Sequence, residues 1–210
     1  MTTTIGFSDT DKSTSAVLED VIRSMDQEHI TLRDMLEKMG ESGLLLLCGL
    51  LSLPFLVPVS IPGVSTVFGA GIVLIGIAVT FNRLPWMPSK VADRKLDRSK
   101  LVPVLERGIS ILRKVDKLVR PRLLSFTTGG MVNRFNGLVL TFAGILLMMP
   151  LGLIPFSNTL PGVAILLLST GISQRDGAVV LAGHLMVVLT MIYFGGLAWA
   201  AYAAGNSLVG

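Results

Sequence analysis

The chain has 210 residues, 51% of them apolar and 15% charged, with a mean hydropathy of +0.69. Those values exclude an ordinary water-soluble domain and make lipid a large part of the solvent. The net charge of +4 averages unlike regions: residues 1–42 hold four basic and nine acidic side chains, residues 83–134 hold thirteen and four, and only Arg175 and Asp176 remain. A basic stretch between apolar spans belongs in the cytoplasm by the positive-inside rule, which places residues 84–134 there. With Trp86 as its lone aromatic before Phe126, this stretch lacks the stacking residues of a nucleic-acid module, so nucleic acid is excluded as a partner.

Residues 1–14 are rich in Thr, Ser and Asp and read as a disordered amino terminus, without the basic and apolar regions of a cleaved signal peptide. From Ser15 to Met39, Val17, Leu18, Val21, Ile22 and Met25 recur at helical spacing and predict an amphipathic helix ending near Gly40 and Gly43. The apolar run from Leu44 to Val59 follows, interrupted by Pro54 and Pro58, and Ile61-Pro62-Gly63 predicts a turn. Val64 to Phe81 is apolar again, and Gly69, Gly71 and Gly76 give it a small-residue face suited to close helix packing. Cys48 lies inside an apolar run and can form no disulfide within the chain.

After a basic cytoplasmic linker, residues 84–100, the segment Leu101 to Leu124 predicts a second amphipathic helix, lying on the membrane or packed on the protein. Its stripe runs from Leu101 through Leu105, Ile109 and Leu112 to Leu118, with Arg107, Arg113, Lys114 and Lys117 elsewhere. Gly137 to Phe156 contains Pro150 and Pro155, and Pro161-Gly162 then predicts a turn into a short segment, Val163–Ile172. The last stretch, Ala178 to Ala204, is long enough to cross a bilayer, since about 20 residues suffice.

Set side by side, 43–83 and 137–175 share one plan: a proline-interrupted apolar stretch, a Pro-Gly, a second apolar stretch and a polar pair. The expected architecture is therefore an all-α integral membrane protein of two pseudo-repeats plus a carboxy-terminal transmembrane helix, residues 178–210. Each repeat, 15–83 and 101–177, is an amphipathic helix followed by a proline-broken hairpin, re-entrant or fully spanning. Paired, interrupted short segments point to the binding site of a transporter, commonly in an inverted repeat. On that reading Asn82, Arg83, Asn158, Arg175 and Asp176 line or gate the path, and Pro62, Gly63, Pro161 and Gly162 form the hairpin turns.

Arg175 and Asp176 stand at a break between apolar segments; at depth each costs about 2.5–3.5 kcal/mol unless paired, and at an interfacial turn they are simply solvated. His184 in the last span either packs or, facing a cavity, shuttles protons. Ser157, Asn158 and Thr159 can coordinate an ion or a sugar hydroxyl, or meet water. Glu106 reads as a salt-bridged surface acid. No metal-ligand spacing, phosphate-cradling loop or nucleophile elbow occurs, so no enzyme, metal or cofactor is expected.

Several segments together resemble one family. They are Pro58 to Gly63, Leu84-Pro85-Trp86-Met87-Pro88, Arg120-Pro121-Arg122, Leu153-Ile154-Pro155 with Asn158 and Pro161, and Gly171 to Gly177. In this order they resemble the ExoD-like exopolysaccharide-synthesis proteins of bacteria, over residues 15–205. Family members often carry an acidic residue before Arg-Asp-Gly, where this chain has Gln174. The resemblance implies a bacterial inner-membrane protein linked to exopolysaccharide production, and the family name describes a phenotype rather than a biochemical activity. Two functions are compatible with this reading: transport of an ion or small solute, or a non-transporting accessory or scaffold subunit that docks through the basic helix. The partners implied are the bilayer, an ion or small solute, the exopolysaccharide machinery and a second copy of the chain.

Overall fold

The computed structural model describes residues 31–56, 63–83, 106, 121–149, 151 and 154–209. The amino-terminal segment 1–14, most of the first amphipathic helix, Pro62, the 84–100 linker and nearly all of the basic helix lie outside the described residues.

Five helices make up the described fold: α1 (Leu32–Ser52), α2 (Val64–Phe81), α3 (Gly130–Met148), α4 (Thr159–Ser173) and α5 (Gly177–Val209). Among the described residues there is no strand, and an isolated parallel bridge joins Arg122 and Asp176. The boundaries follow from local chemistry. Gly40, at φ 60, breaks α1 where the amphipathic pattern gives way to the apolar run. A 3-10 turn at Leu53–Leu56 ends it where Pro54 removes a backbone donor. Asn82 ends α2 in the left-handed region, with its N–H bonded to Val79 O and that of Arg83 to Ala78 O.

Three helices, α2, α3 and α5, are long and apolar enough to cross a membrane. Their outward faces fit that solvent. On α3, Met131, Phe135, Leu138, Phe142, Ile145 and Met149 recur at helical spacing and all are exposed. Leu181, Leu185, Leu189 and Ile192 do the same on α5. Water tolerates contiguous apolar surface only up to a few hundred Å², so these stripes suit lipid better than water. Inside, Leu44, Leu45, Ile72, Leu140, Ile165 and Leu168 form the centre of one continuous core.

Close approaches at glycines set the helix directions. A Cβ on Gly76 would lie 2.8 Å from Thr141 N, and one on Gly137 would lie 2.7 Å from Thr80 N, so α2 and α3 run antiparallel. The pairing is reciprocal: Thr80 Oγ1 donates to Gly76 O and Thr141 Oγ1 to Gly137 O, each hydroxyl satisfied on its own helix. Gly49 meets Ser169 and Gly162 meets Phe55, which sets α4 antiparallel to α1; Gly171 meets Val180 and Gly183 meets Leu168, which sets it antiparallel to α5. Phe135 stacks on His184 near the starts of α3 and α5. Thus α1, α3 and α5 run one way and α2 and α4 the other. The expected inverted relation is corrected by these directions, because the two hairpins have the same sense. Their packing crosses over: α2 lies chiefly on α3, and α1 on α4.

The second hairpin turn also moves. The chain reverses at Ile154–Asn158, and Pro161 and Gly162, expected to form that turn, are buried within α4. Pro161 fits there because the first helical turn needs no N–H from it, and Gly162 lets α4 approach Phe55, whose Cβ would be 3.0 Å from an added Cβ. The basic helix is expected to reach Leu124, but residues 121–123 are non-helical, and Leu123 adopts φ 50 before a 3-10 turn at Leu124–Phe126.

Candidate functional site

Three of the five candidate path residues, Asn158, Arg175 and Asp176, fall at the two ends of α4, and Asn82 and Arg83 at the end of α2. Helix α4 has 15 residues, about 22 Å at the helical rise of 1.5 Å per residue, so it is shorter than a hydrocarbon core of about 30 Å.

At its carboxy end, Arg175 takes φ 54 and Asp176 N–H donates to Gly171 O at 2.9 Å, closing the helix. Asp176 then starts α5. Its Oδ1 accepts from the N–H groups of Ala178 (3.0 Å) and Val179 (3.3 Å), the arrangement of an aspartate N-cap. Arg122 Nε donates to both carboxylate oxygens, at 2.9 and 3.0 Å. The backbone joins the same residues, since Gly177 N–H donates to Arg122 O at 2.8 Å. Asp176 is fully buried while the Arg122 side chain is 58% exposed. An isolated buried carboxylate would be costly to hold charged; here two helix-end N–H groups and a guanidinium supply its partners. The solvent-facing guanidinium makes the ion pair itself a modest contributor to stability.

Nearby, Thr127 Oγ1 donates to Arg175 O at 3.5 Å and Asn136 Nδ2 to Phe126 O at 2.9 Å, so the 3-10 turn is fastened to both α3 and the α4–α5 junction. Asn133 Nδ2 donates to Glu41 Oε1 at 2.9 Å. Asn82 and Arg83 stand exposed at the end of α2.

At the amino end of α4 the polar groups are uncharged. Ser157 and Asn158 are buried, at 1% and 7% exposure. Ser157 Oγ donates to Leu151 O at 2.8 Å, and Tyr193 OH donates to Pro155 O at 2.6 Å. Asn158 occupies the N-cap position, yet its side chain makes no capping bond and has no hydrogen-bond partner among the described residues. The residue is recessed but its amide N and O are not fully enclosed: among the described residues His184 Nε2 is the only fully buried side-chain nitrogen or oxygen without a partner. The structure thus separates Asn158 from Arg175 and Asp176 by the whole of α4. Gly63, at φ 83, is exposed and precedes α2.

His184 is a further polar group within α5. Its Nδ1 lies 2.8 Å from Val180 O, which makes Nδ1 the protonated nitrogen, and its buried Nε2 meets no partner. The ring stacks on Phe135, with centroids 5.4 Å apart. Among the described residues no group of three or more His, Cys, Asp or Glu side chains could hold a metal.

Sequence reasoning missed the partnership of Arg122 with Asp176, which lie 54 residues apart. Ser157-Asn158-Thr159 three residues before Pro161 was the available signal for where α4 begins, since N-cap residues followed by an early proline mark a helix start.

Helices with apolar outward faces, one end fastened by charge and the other carrying only neutral polar groups, define a helical membrane protein without a recognisable catalytic constellation among the described residues. Residues 14–196 match the family model described as "Exopolysaccharide synthesis, ExoD". The chain belongs to this ExoD family. It is 54% identical over 204 residues to Protein ExoD of Rhizobium meliloti (strain 1021), covering 97% of this chain and 85% of that protein. It is 29% identical over 156 residues to an uncharacterized protein of Synechocystis sp., covering 70% of this chain and 72% of the other. No solved structure matches.

Proposed function

We propose that the chain is a multi-pass bacterial inner-membrane protein that moves an ion or small solute in support of exopolysaccharide synthesis, with α4 as the element along which the solute passes. The observation that carries this reading is the Asn158 carboxamide, 7% exposed and without a partner at the start of a helix too short to span. Membrane proteins tolerate such groups where they line a cavity, and interrupted helices whose ends lie inside the bilayer are a common way of building a transport site. The shared plan of 43–83 and 137–175 adds support, as does a packing scheme, α2 on α3 and α1 on α4, that is unchanged when the two hairpins exchange places. On this reading the basic segment 84–134 is cytoplasmic and the Ile154–Asn158 turn faces the opposite side.

The accessory reading draws on the Arg122–Asp176 connection. It anchors the end of the basic segment to the bundle and leaves the guanidinium 58% exposed, where a partner or anionic lipid can reach it.

A flux assay in proteoliposomes separates the two. Purified protein is given imposed sodium, potassium or pH gradients and labelled uncharged solutes, and wild type is compared with Asn158→Leu and Asp176→Asn. Flux that falls in either variant while folding is retained supports transport. Absence of flux with every solute, together with partner binding lost on charge reversal at Arg113, Lys114 and Lys117, supports the accessory role.

A further inference from the structure

Polar groups in lipid-embedded helices are normally absorbed by the nearest backbone carbonyl. Thr80, Thr141 and Thr190 each donate to the carbonyl four residues back, and Ser52 and Ser169 to the one three residues back. Such bonds satisfy the hydroxyls without any ligand. Asn158 departs from this habit. It is more than nine-tenths buried, it stands at the amino end of a 15-residue helix, and its carboxamide bonds to nothing among the described residues. The first turn adds donor capacity, because helix N-termini leave N–H groups outside the ladder. Leu160 N–H is taken by Phe156 O at 3.1 Å and Pro161 has none, so Asn158 and Thr159 supply what remains.

The chemistry of the surroundings selects the ligand class. No charged side chain occurs in residues 43–82 or 135–174, the segments that form both hairpins. Arg83, Arg122, Arg134, Arg175, Asp176 and Glu41 gather at the opposite end of the bundle. Among the described residues a bound cation would find no carboxylate beside Asn158, and a bound anion no counter-cation beyond the partial charge of the helix end. A carboxamide both donates and accepts, as a hydroxyl does. Ser157 and Tyr193 already donate to Leu151 O and Pro155 O, so their oxygens keep lone pairs for an incoming donor.

We propose that the amino end of α4 binds a small, uncharged, hydroxyl-bearing solute through the Asn158 carboxamide. The inference rests on the transport reading and names the substrate class of its site.

The test uses full-length protein in lipid nanodiscs and follows thermal unfolding against glycerol, D-glucose, sodium acetate, sodium phosphate and potassium chloride at matched osmolarity. Wild type should be stabilised saturably by D-glucose or glycerol and not by the salts, and Asn158→Leu should need about tenfold more solute for the same shift, the loss of one or two hydrogen bonds. A saturable response to a salt alone, or equal responses in wild type and Asn158→Leu, overturns the proposal. Should Asn158→Leu fail to fold, Asn158→Cys gives a second readout, because the native Cys48 is fully buried. A membrane-impermeant maleimide should label Cys at position 158, and D-glucose or glycerol should slow that labelling; labelling unaffected by either solute overturns the site. Binding without flux in proteoliposomes would remove the transport reading and keep the site, whereas flux undiminished in Asn158→Leu would remove the site and keep transport.

Discussion

Arg122 and Asp176 are joined by side chain and backbone at once: the guanidinium Nε bonds both carboxylate oxygens, and the carbonyl of Arg122 accepts the N–H of Gly177. The end of a segment carrying most of the chain's positive charge is therefore held at the junction of α4 and α5.

Asp176 has two tasks, and two substitutions separate them. Asp176→Asn keeps an N-cap side chain and loses the charge, while Asp176→Ala loses both. Thermal unfolding in detergent should show the alanine variant destabilised by about 2 kcal/mol, in line with loss of a cap, and the asparagine variant by less than about 1 kcal/mol, as befits a pair with an exposed arginine. Equal losses would mean that the ion pair dominates. Arg122→Gln should resemble Asp176→Asn in stability.

The seam between α2 and α3 has no room for a methyl group. Gly76→Ala or Gly137→Ala places a Cβ less than 3 Å from backbone nitrogen of the facing helix, so each should cost about 1–3 kcal/mol through overpacking. Gly195→Ala, with nothing within 4 Å of the added Cβ, should be neutral or stabilising by up to about 1 kcal/mol through helix propensity. Unfolding midpoints of the three variants check the contrast.

His184→Phe should leave stability unchanged or raise it. The replacement keeps the stack on Phe135 and removes a buried nitrogen that has no partner, a group whose desolvation costs about 1–3 kcal/mol. A folded His184→Phe protein that has lost flux would instead give the imidazole a part in transport.

The helix directions predict sidedness. With α1, α3 and α5 running one way, the carboxy terminus emerges on the face opposite the Arg122–Asp176 end. If the basic segment is cytoplasmic, alkaline phosphatase fused after Gly210 should be active and a fluorescent protein at the same place dark. The reverse result would contradict either the cytoplasmic placement or the crossing of α5.

Much of this fold is legible in the sequence, because apolar runs of membrane length and breaks at Pro54 and Gly40 are local signals. The small-residue face of α2 was legible as well, though not its division of labour: Gly69 and Gly76 face α3, while Gly71 faces Leu51 of α1. The turn at Pro161-Gly162 was misplaced because proline is as compatible with a first helical turn as with a loop, and only packing against Phe55 decides. The Arg122–Asp176 pair was illegible for a different reason. Charge patterning along a chain reports which segment is basic, but not which of its thirteen cations will meet a carboxylate 54 residues away. Asn158 was legible as a polar residue, and only three dimensions reveal that its neighbours satisfy themselves and leave it over.

The crossed packing of the hairpins has a consequence for biosynthesis. The glycine face of α2 finds its partner not in the helix made just before it but in α3, whose Gly137 and Thr141 are added some 60 residues after Gly76 and Thr80. At translation rates of about 5–20 residues per second, that is a wait of roughly 3–12 s. During that interval the glycine seam of α2 lacks the helix that fills it, so its close packing is completed only when the second hairpin has been made.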